Sequence, residues 1–201
     1  MVTADFLSKL GLFVINNFLD AETCSRLISI ATTTEGEPAK VTEKKEVGLD
    51  PDTRKTIQFM LDEPMESQIL SQILSIKPEL ESHFHVTLDT CQKPTLLGYS
   101  IGHYFRLHKD MNDDPDYPQS IRNRQVSISI LLNNADENDT PQTYSGGALT
   151  FYGLLPDPRV KWKGFPLQGE EGMLIAFSSR TFHEVQPITR GYRYSIVTWF
   201  V

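Results

Sequence analysis

Cysteine is nearly absent from this chain, at two residues among 201. That scarcity excludes the disulfide framework on which small secreted domains depend. Cys24 falls on an apolar helical stripe, so Cys24 and Cys91 are expected as buried free thiols. Long hydrophobic runs are also missing, and none approaches the roughly 20 residues of a membrane-spanning helix. The stretch MVTADFLSKLGLFVINN lacks a basic n-region and a small-residue cleavage site, so no secretory signal is expected and a cytoplasmic location follows. Basic charge is the minority sign. Lys and Arg number 19 against 26 Asp and Glu, a net of −7, which leaves no footprint for a phosphate backbone. Nucleic acid and membrane are therefore not expected as partners. Oligomeric state is left open. No internal repeat or low-complexity segment interrupts the chain, and 201 residues suffice for one full core, so residues 1–201 are read as a single domain.

What is present divides by pattern near Pro94. Residues 1–94 read as helices and strands that buttress a core formed by 95–201. LFVINN reads as a first strand. A helix follows from about Ala21 to Ala31, with Asp20 as N-cap and Cys24, Leu27, Ile28 and Ala31 on one face. EGEPAKVTEKKEVGLDPDTRKT is polar and turn-rich, a hairpin or loop. IQFML is a short strand, after which Asp62 caps a second helix with Met65, Ile69, Leu70, Ile73 and Leu74 inward. Pro78 opens a further helical turn or two through Phe84. Beyond Pro94, short strands separated by turn signals predict a mostly β fold with supporting helices: a double-stranded β-helix, the jelly-roll or cupin-like architecture. Within Gln125 to Leu132, Val126, Ile128, Ile130 and Leu132 form one apolar face. Gln125, Ser127 and Ser129 form the other, facing either a cavity or water. Gly146 and Gly147 predict a tight turn or close backbone approach, and Gly191 the turn that starts the last strand.

Four residues carry the chemistry. Two His and one carboxylate on one side of an iron leave coordination positions open for a chelating cosubstrate and dioxygen. On a strand, His108 and Asp110 share a face while Lys109 points away. His183, after the apolar run Met173 to Phe177, is the candidate second His. Arg193 shares a face of YRYSIVTWF with Ser195, Val197 and Trp199. A guanidinium there either binds an anion bidentately, the far carboxylate of 2-oxoglutarate being the natural candidate, or pairs structurally with Glu170, Glu171 or Glu184. His183 alone would also read as an ordinary strand-end histidine. The conjunction of order, spacing and strand context favours an oxygenase.

The motifs YSIGHYFRLHKD, QVSISILLN, YSGGALTFYG and HEVQPITRGYRYSIVTWF, in that order, give Leu97 to Val201 a resemblance to a known family. It resembles the catalytic domain of the prolyl 4-hydroxylase-like iron(II)- and 2-oxoglutarate-dependent dioxygenases, which include the collagen and hypoxia-sensing prolyl hydroxylases. The resemblance implies a paired-donor oxidoreductase with iron ligands His108, Asp110 and His183, and with Arg193 on the distal carboxylate of 2-oxoglutarate. Tyr99 matches a tyrosine beside the cosubstrate, and Trp199 matches a pocket tryptophan. Where the hypoxia-sensing branch has a tyrosine assisting the arginine, this chain has Leu131, and Ser127 or Ser129 is expected to take that part. The implied activity hydroxylates an unactivated C–H bond with release of succinate and CO2, with ascorbate as an accessory reductant common in the family. A carboxylate at Asp110 opposes halogenation, and Trp199 stands where nucleobase demethylases carry a further arginine.

A prolyl residue of a protein or peptide is the leading substrate, with Arg54 on a covering loop or simply on the surface. A free amino acid or small metabolite is the alternative within the enzyme class. A non-catalytic metal- or ligand-binding barrel, acting as a sensor or interaction module, is the alternative outside it. The loops MNDDPDYPQ, with Asp113, Asp114 and Asp116, and NNADENDTPQTYS read either as solvated loops or as an acidic lid favouring basic or neutral substrates.

Overall fold

Three aspartate or threonine caps start the first helices of the computed structural model, which describes residues 3–44, 46–136 and 143–201. Thr3 caps α1 (Ala4–Lys9), which the sequence reading did not anticipate. After β1 (Leu12–Ile15), Asp20 accepts from the Thr23 amide at 2.7 Å and starts α2 (Ala21–Thr33). The polar stretch becomes four short strands: β2 (Glu37–Pro38), the hairpin of β3 (Val41–Glu43) and β4 (Glu46–Gly48), and β5 (Arg54–Lys55). Next come β6 (Ile57–Phe59) and α3 (Glu63–Ser75), whose cap Asp62 accepts from the Met65 amide at 2.9 Å. Helix α4 (Lys77–Phe84) closes the helical part.

The strand-rich remainder comprises β7 (Thr95–Tyr99), β8 (Tyr104–His108), α5 (Gln119–Arg122), β9 (Val126–Leu131) and β10 (Ser145–Gly146). It continues with β11 (Leu149–Tyr152), β12 (Phe165–Leu167), β13 (Leu174–Ser178), β14 (Phe182–Val185), β15 (Ile188–Arg190) and β16 (Arg193–Phe200). Two large antiparallel sheets result, a seven-stranded one ordered β1-β13-β9-β16-β7-β6-β2 and a five-stranded one ordered β12-β11-β14-β8-β5, beside the two-stranded pairs β3-β4 and β10-β15. Facing each other, the two large sheets form a double-stranded β-helix. Strands β1, β2, β5 and β6, all from before residue 94, hydrogen-bond into these sheets, so the change of pattern at Pro94 is not a seam in the hydrogen bonding.

Period-two alternation sorts the two faces of the larger sheet. Val126, Ile128 and Ile130 of β9, with Ile196 and Phe200 of β16, pack against Cys24, Leu27, Ile69, Ile73 and Leu80 of the helices. Each such side chain, fully withdrawn from water, contributes roughly 1.5–3 kcal/mol. Leu74, expected inward, is 42% exposed, because α3 presents only Met65, Ile69 and Ile73 squarely to the sheet. On the opposite face, Leu97, Tyr99, Leu131, Ile175 and Phe177 turn toward the smaller sheet, meeting Leu149, Phe151 and Val185. Ser127 and Ser129 lie on this inner face and are buried, which removes the reading that put them in water.

Two glycines meet specific demands. At Gly147, with positive φ, a Cβ would collide with Ile188 and crowd the Arg193 side chain at 3.1 Å. Gly191, also at positive φ, leaves no room for a Cβ against the Thr143 carbonyl, and this close turn sets the start of β16.

Candidate active site

The smaller sheet carries the two histidines. His183 of β14 stands directly across from His108 of β8, beside a register shift. Strand β8 ends at His108, so Asp110 is not on the same strand face as the spacing argument assumed. It sits in the following turn, because the amides of Asp110 and Met111 both donate to the Ser179 carbonyl, at 3.1 and 3.0 Å. That turn still returns the carboxylate to the histidines. Asp110 Oδ1 lies 3.6 Å from His108 Nε2, and Oδ2 lies 3.5 Å from His183 Nε2.

The protonation of the rings follows from their other nitrogens. His108 Nδ1 is 2.7 Å from the Arg106 carbonyl, and His183 Nδ1 is 3.0 Å from the Thr181 carbonyl. A carbonyl only accepts, so both Nδ1 atoms carry the proton in the neutral rings and both Nε2 atoms present lone pairs. Two lone pairs thus converge on a carboxylate, a set of three acceptors within 4.8 Å of one another. A cation resolves that arrangement. Aromatic contacts hold the rings: Phe105 stacks on His108 at 3.6 Å, and Phe177 meets His183 edge-on at 4.7 Å.

Asp110 and His183 titrate in ways that suit a metal. Burial alone would raise the Asp110 carboxyl, but attraction to His183 and His108 and a hydrogen bond from Ser127 outweigh it and hold it well below the usual carboxylate range. Ser127 also pairs with Ser179 at 2.8 Å; since an ionised carboxylate only accepts, Ser127 donates to Asp110 and accepts from Ser179. Burial, then the neighbouring His108, pushes His183 down to about 4. Asp110 is therefore ionised and His183 neutral at pH 7.

A stability effect follows, with its sign set by linkage. Between an unfolded-state value near 6.5 and the folded value of about 4, the unfolded chain holds a proton at His183 that the folded chain does not. The metal-free protein should therefore lose stability as pH falls through that window, and this contribution should level off below it. Denaturant melts at pH 7 and pH 4.5 check this, and His183→Gln should remove part of the difference.

At the other wall, Arg193 is 1% exposed. Its Nη1 donates to Ser195 Oγ at 3.0 Å, and its guanidinium lies 5.2 Å from the Tyr99 ring centroid. Its Nε is buried without a partner. Among the described residues no carboxylate comes within 4.0 Å of it, and Glu184 instead accepts from the Tyr152 hydroxyl at 2.5 Å. The structural ion pair weighed for Arg193 is therefore not formed. One cavity between the sheets is lined by His108, Asp110, His183, Arg193, Ser129 and Tyr99, with Trp199 at its open side.

Residues 94–201 match the model of the 2OG-Fe(II) oxygenase superfamily. The chain belongs to that superfamily. A PKHD-type hydroxylase of Sphingopyxis alaskensis is 33% identical to this chain over 106 residues, which is 53% of the chain and 42% of the relative. The chain thus spans less than half of that curated relative's length. Among solved structures, a Pseudomonas putida prolyl-4-hydroxylase superposes with a TM-score of 0.69 at 22% identity, covering 98% of this chain and 96% of the other. A Trichoplax adhaerens prolyl hydroxylase, solved with a hypoxia inducible factor peptide fragment, gives 0.68 at 20% identity, covering 98% and 86%. At these identities the likeness is one of fold.

Membership implies ferrous iron and 2-oxoglutarate, and the chain has residues suited to both. The three acceptors at His108, Asp110 and His183 match what a ferrous ion takes, and the unpartnered Arg193 Nε is a donor that a carboxylate would satisfy.

Two contributors escaped the sequence reading. Ser179, fully buried, tethers the Asp110 backbone directly and its carboxylate through Ser127. Ser127 is thus turned toward Asp110 rather than toward Arg193. Tyr144, 1% exposed, packs beside Arg193, the two side chains lying 3.3 and 3.1 Å from where a Cβ on Gly147 would stand, and its hydroxyl is so close to Gly169 that no Cβ would fit there. Only the aromatic character of TYSGG hinted at it. Of the acidic loops, Asp113 is engaged by Arg180 at 2.6 Å, and residues 137–142 of the second loop lie outside the described residues.

Proposed function

We propose that the chain is an iron(II)- and 2-oxoglutarate-dependent dioxygenase that hydroxylates an unactivated C–H bond, with a prolyl residue of a protein or peptide as substrate and succinate and CO2 as coproducts. The observation that carries this reading is the convergence of two imidazole lone pairs and one carboxylate opposite a buried arginine without a counter-ion. The hydroxylase name of the Sphingopyxis relative and the prolyl hydroxylase folds support the choice of reaction and substrate.

In this reading His108, Asp110 and His183 hold the iron. Iron, cosubstrate and dioxygen together supply the oxidising power to convert C–H to C–OH; the protein's contribution is placement and exclusion of water. The Arg106 and Thr181 carbonyls hold the imidazoles in the tautomer that faces inward. Arg193, braced by Ser195 and by the Tyr99 ring, takes the distal carboxylate of 2-oxoglutarate. Leu131 offers no hydrogen bond, and Tyr144, whose side chain lies beside Arg193, supplies the assisting one by donating its hydroxyl proton to the carboxylate. Tyr144→Phe should raise the dissociation constant for 2-oxoglutarate about tenfold, as expected for one hydrogen bond to a charged group. Anaerobic equilibrium titration measures this, and an unchanged constant would leave Tyr144 a packing residue.

The reading itself is tested by anaerobic titration of the metal-free protein with ferrous iron and 2-oxoglutarate, monitoring the weak visible charge-transfer band of the chelate. A saturable band is expected, followed by succinate formation with prolyl peptides. A folded protein that shows no band would overturn it in favour of a non-catalytic ligand-binding barrel.

A further inference from the structure

The mouth of the cavity carries two arginines that the reaction above does not use. Arg54, on β5 of the smaller sheet, stands across from Phe105 in register and lies 4.7 Å over its ring, and that ring in turn stacks on His108. Among the described residues the Arg54 Nε is buried without a partner and its Nη1 reaches only the Lys40 carbonyl, at 3.4 Å. Arg124 comes from the opposite wall, just before β9, and lies flat on Trp199 at 3.6 Å. Its hydrogen bonds all go to neutral acceptors: the Gln92 side-chain oxygen at 3.3 and 3.1 Å, and the Asp110 carbonyl at 3.3 Å. Burial, and the charge of Arg54 nearby, push the Arg124 guanidinium down to about 10, against the attraction of Asp110.

Both arginines line the groove that opens from the site, and among the described residues neither has a carboxylate within 4.0 Å. The nearby acids are committed or exposed. Asp50 accepts from its own turn at the Asp52 amide, 3.1 Å, Asp110 belongs to the triad, and Glu43 lies exposed on β3. Two like charges facing each other across a partly desolvated mouth repel, and an anion between them reverses the sign of that interaction.

We propose that Arg54 and Arg124 form a carboxylate-binding subsite for the substrate. The chain thus selects a substrate that carries a carboxylate next to the C–H bond to be hydroxylated. This rests on the dioxygenase reading for what happens to the bound substrate, but not for the binding itself. Arg54 comes from β5 of the smaller sheet and Arg124 from the segment just before β9, so the carboxylate sits at the mouth beside His108, while Arg193 serves the cosubstrate deeper in the cavity. Asp113 of the first acidic loop is paired with Arg180 and so is not free to engage these arginines.

The source of the carboxylate is either an acidic side chain of a peptide or the main-chain carboxylate of a free amino acid, and the experiment has an arm for each. The peptide arm compares a short labelled peptide, with a central proline flanked by aspartates, against its asparagine isostere. The amino-acid arm uses L-proline against L-prolinamide as competitors. Binding is read by fluorescence anisotropy on the protein loaded anaerobically with ferrous iron and 2-oxoglutarate, and again on the metal-free protein. In one arm the carboxylate form should bind about tenfold or more tightly than the amide form, as for a charge-assisted pair. Arg54→Gln and Arg124→Gln should each collapse that ratio toward one, and Arg54→Lys should restore part of it.

No charge preference in either arm, whether because both forms bind alike or because neither binds, overturns the proposal. So does a preference that survives both glutamine variants, or variants that weaken 2-oxoglutarate instead. Loss of the charge-transfer band in the wild type would count against the dioxygenase reading alone, because the anisotropy ratio is also read without iron.

Discussion

His183→Ala yields a folded protein whose affinity for ferrous iron falls by well over roughly a hundredfold, the upper range for losing mere support of a ligand, and whose turnover is lost. The expectation rests on geometry rather than on His183 being a histidine in a cavity. Its Nδ1 proton is committed to the Thr181 carbonyl, so the only chemistry left to the ring is the Nε2 lone pair, which points at Asp110. Because the ring also packs against Phe177, the alanine variant leaves a void that can weaken the fold. His183→Gln fills more of that space and should lose iron just as fully. Iron uptake by equilibrium dialysis, with far-ultraviolet dichroism as the check on folding, decides the matter. Either variant retaining wild-type iron affinity and rate would remove His183 from the metal site.

Arg193→Met should weaken 2-oxoglutarate by about a hundredfold or more while leaving the cosubstrate-free fold no less stable. The two effects have different origins. A buried guanidinium on a carboxylate makes charge-assisted hydrogen bonds, and truncating one partner of such a pair costs about 2–5 kcal/mol. Without the carboxylate, the same guanidinium is a buried cation with an unsatisfied Nε, compensated only by Ser195, Tyr144 and the face of Tyr99. Replacing it by an apolar side chain of similar length removes that desolvation cost. A structural arginine would behave oppositely, with stability falling and cosubstrate affinity unmoved. Paired measurements, anaerobic titration for affinity and denaturant melts for stability, separate the two roles.

The sequence revealed most where a pattern is local. Caps at Asp20 and Asp62, the helical stripes they begin, and the alternation in β9 and β16 were all legible, because each depends on residues a few positions apart. His108, Asp110, His183 and Arg193 were singled out by residue type, order and strand context, and the structure brings ligand atoms of the first three within 4.8 Å of one another with Arg193 lining the same cavity.

What was missed depends on partners remote in sequence. That β8 stops at His108 is decided by the Ser179 carbonyl, some seventy positions away, capturing two amides. Ser127 looked like a donor for the cosubstrate, but Ser179 and Asp110 claim it. Tyr144 reaches Arg193 from outside any strong periodic segment, and its place against Gly169 is visible only once the sheets close. Arg180 pairs with Asp113 from 67 positions away, and Arg54 and Arg124 line one groove from segments that looked unrelated.

The stacking of Arg124 on Trp199 has a practical consequence. Trp199 is one of only two tryptophans, and the other, Trp162, is 56% exposed and lies near Phe182 and Lys161. Indole emission shifts to the blue when shielded from water, so the two differ in colour and in access to a dissolved quencher. Anything that settles between the arginines covers Trp199 and leaves Trp162 as it was. The chain therefore carries a built-in optical reporter at the entrance of its cavity, with an internal reference on its surface, and occupancy can be followed in unlabelled protein.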